Sequence, residues 1–279
     1  MRLLSRTSPP YSPEPQQHTV LRLGLHPLPI ANWLAVDADF ETFYQHKKLL
    51  GDSRRAKVYQ ALPSSAAAAK EFSEFLLAHL LSQHAADYSR NEETLTFSPA
   101  KIEFDVSART LWDSSLWIQE DICLMEELNG EYILSAASLC SPTNWHLEEK
   151  IGQSVDLIHD PVPGYEAELG ERVNRLLKGL KSNKPVMRYN WSIQHNNELY
   201  WRDDSADEEE GFFWRVERQT LLRLPQTGAI VFGIRIFIHS FETMSKQGEF
   251  KSSLDAILNR LSKDTLSYKG LNRYLMSLS

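Results

Sequence analysis

The period of apolar and polar positions changes at about Leu116. Downstream, "LWIQEDICLMEELNGEYILSAASLC" holds two apolar runs around Asn129-Gly130. An Asn-Gly pair between such runs is a strong short-range hairpin signal. Three further runs, "PVMRYNWSIQHN", "GFFWRVERQTLLRL" and "GAIVFGIRIFIHSF", predict three more strands. The acidic loop "DDSADEEEG" joins the first two and the tight "PQTG" turn joins the last two. Between hairpin and meander, the pattern from roughly Asn144 to Lys181 predicts a helical insert. Upstream, helices are expected from about Ala38 to Leu50 and from Ser65 to Ala86, the second rich in Ala and Leu with Ser65 placed to cap it. The chain up to Asp87 therefore reads as a helical layer, with "GLHPLPIANWLAVDADF" lying across a core. Phe250–Leu278 returns to helix.

The order hairpin, helical insert, three-strand meander predicts an α+β fold of the PAS kind. Its sheet would have five antiparallel strands, with the insert between strands two and three and helices at both ends. The core of this unit spans about 115–240. The insert and the inner sheet face would enclose a ligand cavity. Residues 1–20, rich in Pro, Ser and Gln, are expected to form a disordered arm before a single domain over 21–279.

Composition narrows the partners. A net charge of −7 supplies no basic excess for nucleic acid. Apolar runs fall short of the roughly 18 residues that span a bilayer, and the N-terminus does not read as a signal peptide. A cytoplasmic protein with no membrane partner is expected. The two cysteines, Cys123 and Cys140, lack metal spacing. With Leu128 opposite Glu131, Cys123 would face Ala136 and Cys140 would face Gln119, so two buried thiols are expected rather than a bond. No GxSxG, HExxH, Walker, CxxC or GxGxxG motif is present.

Two histidines fall in the stretch "HLEEKIGQSVDLIHDPVPGY". His146 starts a short helix that Thr143 or Asn144 can cap and Gly152 ends, an ordinary place for an exposed histidine. His159 follows "VDLI" and precedes "DPVPG", where prolines restrict the backbone. A neutral imidazole held at a cavity wall suits an axial ligand of haem iron, and a core or cap histidine reads the same way. In "MRYNWSI", Arg188, Asn190 and Ser192 share one face, and in "FFWRVERQTL" so do Arg215, Glu217 and Gln219. These two sets line either a polar pocket or a solvated sheet face. In a pocket, an arginine would take a carboxylate or propionate, and Glu217 would donate a proton or pair with Arg215. The acidic loop Asp203–Glu210 reads as a solvated excursion, or else as a docking patch for a basic redox partner.

The segments "GLHPLPIANWL", "IQEDICLM", "IHDPVPGY", "RYNWSI" and above all "RVERQTLLRLPQTGAIVFGIRI" resemble, in the same order, the haem-dependent oxidative N-demethylase alpha-subunit family, from about Gly24 to Phe241. The resemblance implies a PAS-fold haem b subunit that removes a methyl group from a small secondary amine, typically dimethylamine, giving the primary amine and formaldehyde. It also implies NADPH-derived electrons delivered through separate flavin and iron–sulfur reductase subunits. On the residues, it favours His159 over His146 as iron ligand. It implies Arg188 and Asn190 as cofactor-binding and Arg215, Glu217 and Gln219 as catalytic candidates. The alternative is a non-catalytic PAS-type sensor of haem or another small ligand.

Overall fold

A computed structural model describes residues 1–13, 23–107, 109–160, 162, 170–202, 211–269 and 271–277. The elements run β1 (His26–Pro27), α1 (Phe40–Val58), β2 (Tyr59–Ala61), α2 (Ala66–Gln83), β3 (Tyr88–Asn91), β4 (Thr94–Phe97), β5 (Ile102–Asp105), α3 (Leu111–Ser115), β6 (Asp121–Leu128) and β7 (Glu131–Ser138). There follow α4 (Leu147–Lys150), α5 (Val155–His159), α6 (Gly170–Gly179), β8 (Val186–Gln194), β9 (Phe213–Arg223), β10 (Ile230–Ser240), α7 (Phe241–Ser245), α8 (Phe250–Leu258), α9 (Lys263–Tyr268) and α10 (Asn272–Met276).

The large sheet has seven strands in the order β1-β8-β9-β10-β6-β7-β2. The five strands expected from the sequence are its five long central ones. The sheet is nonetheless seven-stranded rather than five-stranded, because β1 and β2 extend it at the edges. These two are too short, at two and three residues, to leave an alternating signature. A separate three-stranded sheet, β3-β4-β5, stands where no strand was expected.

The β6–β7 hairpin turns at Asn129 (φ 53°) and Gly130 (φ 89°), both left-handed as a two-residue loop requires. Leu128 pairs with Glu131, but the register shifts between Leu124 and Met125, so Cys123 pairs with Ala137 and not with Ala136. One extra residue in a strand produces that slip and cannot be read from alternation. Both cysteines are free and buried.

Helix α1 runs well past the expected end at Leu50, bending at Arg54. Ser65 does not cap α2: its hydroxyl donates to the Leu62 carbonyl (2.7 Å) from a preceding 3₁₀ turn. The expected disordered arm is corrected over residues 1–13. Leu3 is buried among Phe43, Leu199 and Ile238, Leu3 N donates to Asn197 O, and Tyr11 stacks on Tyr189. These apolar residues among the prolines give the segment something to bury. Residues 14–22 and the acidic loop Asp203–Glu210 lie outside the described residues.

Two faces of the large sheet do different work. Behind it, α2 and Trp33 pack on Ile122, Leu124, Leu222 and Val231. The C-terminal helices pack on Trp191, Trp214 and Phe237 of the same face. In front, the insert α4–α6 covers Cys123, Leu134, Ala137 and Phe232. Arg223 pins the far end of the insert, bonding the carbonyls of Leu177 (2.6 Å) and Leu180 (2.8 Å) and the hydroxyl of Tyr132 (2.8 Å). The near end is tied to β7 by Leu134 N to Gln153 O and Gly152 N to Leu134 O.

Candidate functional site

The site lies on the front face, where the insert packs on β6, β7 and β10 and reaches β8 and β9 at Val186 and Leu221. Helix α5 begins at Ser154, whose hydroxyl accepts from Leu157 N, and Val155 and Ile158 turn toward the sheet. That orientation leaves His159 in the last turn, with Nδ1 2.7 Å from the Val155 carbonyl. A carbonyl only accepts, so Nδ1 carries the proton and the neutral ring keeps its lone pair on Nε2. Burial is the main cause that holds the imidazole below its usual pKa; the Val155 hydrogen bond opposes it and the charge of Arg188 adds to it. His159 is thus a neutral nitrogen base in the field of Arg188.

Strand pairing places the polar set opposite. Arg188 faces Gln219 and Asn190 faces Glu217 across β8 and β9. Arg188 Nε donates to Gln219 Oε1 (2.7 Å), and Gln219 Nε2 donates to Glu217 Oε2 (2.8 Å). Asn190 Nδ2 donates to the same oxygen (3.2 Å), and Thr143 Oγ1 donates to Glu217 Oε1 (3.0 Å). Thr143 is held there by the strand-like contact of its neighbours with Trp201. Lys269, just past α9, donates to Asn190 Oδ1 (3.2 Å) and the Trp191 carbonyl (2.8 Å).

Beside this network the wall is apolar. Trp145, Ile151, Ile158, Phe232 and Ile234 are partly buried around Cys123, Leu134 and Ala137. Phe232 and Ile234 keep surface open although β10 is paired on both sides. Two clefts lie away from this network: about 310 Å³ between α2 and Arg109, and about 470 Å³ between Pro29 and Lys184.

Of the residues singled out in the sequence, Arg188, Asn190, Glu217 and Gln219 form one hydrogen-bonded group, with His159 close enough to feel Arg188. Arg215 shares no hydrogen bond or close ion pair with Glu217, although the Glu217 charge acts on it. It is fully buried, with Nη2 on the Ser141 carbonyl (2.5 Å) and Nη1 on Gln194 Oε1 (3.2 Å). Burial lowers its pKa to about 10, so it stays cationic at neutral pH. His146 sits in a different group, against Arg202 and Glu148. Thr143 and Lys269 were missed, since both reach the network only through tertiary folding.

Among the described residues no group of three or more His, Cys, Asp or Glu could hold a metal ion. A single imidazole suits a metal that arrives inside a cofactor. No helix of the described residues is long and apolar enough to cross a membrane. Residues 24–278, nearly the whole chain, match the family model described as haem-dependent oxidative N-demethylase, alpha subunit-like, and the chain belongs to that family.

Proposed function

We propose that this chain is the haem-carrying subunit of an oxidative N-demethylase acting on a small secondary amine such as dimethylamine in the cytoplasm. Its family is one of alpha subunits, which implies further subunits. On this reading those are flavin and iron–sulfur reductases that pass on electrons from NADPH. Residues 21–279 then act as one domain, and the central order β8-β9-β10-β6-β7 with the insert in front is a PAS-like core.

One observation carries the reading: a neutral imidazole held by a backbone carbonyl lies in the field of Arg188, which leads through Gln219 to a carboxylate with three donors aimed at it, beside partly buried apolar side chains of the insert and β10. The residues fit haem b. His159 gives its Nδ1–H to a backbone carbonyl, the usual support for a metal-binding imidazole. Trp145, Ile158, Phe232 and Ile234 offer a flat macrocycle an apolar surface, and Arg188 offers a propionate a cation. When bound, haem supplies the oxidising chemistry that releases the methyl group as formaldehyde.

The chain's own residues do the rest. Glu217, held by Thr143, Asn190 and Gln219, accepts an N–H of a cationic amine and fixes its position. As an acceptor it is also placed to take up a proton from the amine. Arg188 orients Gln219 as well as meeting an anionic edge. Arg215 acts from a distance, fixing the Ser141 and Pro142 carbonyls next to Thr143. The apolar side chains exclude water.

The test uses the protein loaded with hemin, supplied with a competent reductase, NADPH, oxygen and dimethylamine. Formaldehyde in step with NADPH consumption supports the reading. Haem-loaded, reducible protein that yields none overturns it.

A further inference from the structure

The back-face helices α8–α10 have no obvious business at a site on the front of the sheet, yet one lysine crosses over. Lys269 follows α9, whose start is capped by Ser262, and it is flanked by Leu266 of α9 and by the buried Leu271 just before α10, both of which pack in the core behind the sheet. Its ammonium sits 4.7 Å over the Trp191 ring, bonds the Trp191 carbonyl (2.8 Å), and meets Asn190 Oδ1 (3.2 Å). Asn190 Nδ2 then faces Glu217 (3.2 Å).

The chemistry of the two ends decides the amide's orientation. An ammonium only donates, so the amide atom facing it is oxygen; a carboxylate only accepts, so the atom facing it is nitrogen. Without a donor at Lys269, nothing distinguishes the two ends of the Asn190 amide from that side. Arg188 and Gln219 repeat the arrangement on the other flank of Glu217. Glu217 is therefore gripped by two amides, each set by a cation behind it.

We propose that Lys269 is a positioning residue, reaching around the edge of β8 to orient the Asn190 amide toward Glu217 and so making the C-terminal segment part of the site. The proposal rests on the reading of Glu217 as the amine-binding group. Burial lowers the lysine pKa to about 8, opposed by the Glu217 carboxylate, and the group remains mostly charged at neutral pH.

The experiment is a pair of readouts on the full chain. In nitrogen-15 spectra, Lys269→Met should speed exchange of the Asn190 side-chain amide protons by about tenfold, the size of a lost hydrogen bond to a charged group. Lys269→Arg, which keeps a donor, should restore slow exchange, and the dispersion of the spectrum reports that each variant is folded. In turnover, the loss from Lys269→Met should vanish in an Asn190→Leu background, because the amide it acts through is gone. Unchanged amide exchange in Lys269→Met, or an equal loss with and without Asn190, would overturn the proposal. The exchange readout needs neither haem nor amine. It therefore stands even if no formaldehyde is formed, a result that would count against the demethylase reading alone.

Discussion

Arg188 Nε lies 2.7 Å from Gln219 Oε1, and this single hydrogen bond fixes which end of the Gln219 amide meets Glu217. The guanidinium takes the oxygen, so the NH₂ group is left to face the carboxylate at 2.8 Å. Replacing Gln219 by Glu sets a second carboxylate where a donor stood. Turnover is expected to fall by about 10²-fold, comparable to the loss of one preorganised donor. Gln219→Leu should lose less, and steady-state formaldehyde release compares the two.

Glu217 itself is the residue on which amine binding turns. Glu217→Gln keeps the shape but converts an acceptor into a group that must also donate, against three donors already pointing at it. The expected outcome is a loss of kcat/KM of about 10²-fold or more for dimethylamine, within the range for removing a positioned base. A KM for the amine unchanged in Glu217→Gln would argue against contact with the substrate.

Much of this network was legible in the sequence, because alternation alone puts Arg188 and Asn190 on one face of β8 and Glu217 and Gln219 on one face of β9. Strand pairing then had only to set the register, and Arg188 does fall opposite Gln219. Arg215 obeys the same alternation yet ends in a different environment, because periodicity gives a face and not the depth along it. The segments that follow β7 and β8 close over Arg215 and take up its donors on the Ser141 and Leu199 carbonyls. Lys269 and Thr143 carried no local signal; one arrives around the sheet edge and the other through a loop held by Trp201. The small sheet β3-β4-β5 was missed for a plainer reason. Its strands are four residues each, too short for a periodic pattern to separate from turn.

Arg215 gives a stability prediction distinct from a catalytic one. Its guanidinium is fully buried and bonded to the Ser141 and Leu199 carbonyls and to Gln194. Arg215→Met leaves those acceptors unmatched and the nearby Asp121 without its field. Destabilisation of about 3–5 kcal/mol is expected, as for breaking a buried charged network. Urea denaturation measures it. A change below about 1 kcal/mol would be inconsistent with the observed burial.

Acid sensitivity follows from three buried histidines. Burial lowers the pKa of His46 to about 3, and those of His79 and His239 to about 4. The unfolded chain takes up these protons near 6.5, whereas the folded protein holds the rings neutral. Their contribution is therefore complete above pH 6.5 and is lost as pH falls toward about 4 for His79 and His239 and toward about 3 for His46, on the order of a few kcal/mol per histidine. Asp39 and Asp121, raised by burial, act in the opposite sense. The specific check is His239→Phe, which should flatten the decline of the unfolding midpoint between pH 6.5 and 4. A slope identical to that of the parent would contradict the assignment.

His159 is the residue on which the whole account depends, and one spectrum tests it. The visible absorption of haem-supplied protein is compared with that of His159→Ala, and with His159→Gly given free imidazole. A Soret band is expected in the parent, shifted or collapsed in the alanine variant and restored in the glycine variant when imidazole fills the space left by the ring. A Soret band unchanged by the alanine substitution would contradict ligation through His159 Nε2, and no Soret band in the parent would contradict a haem subunit altogether.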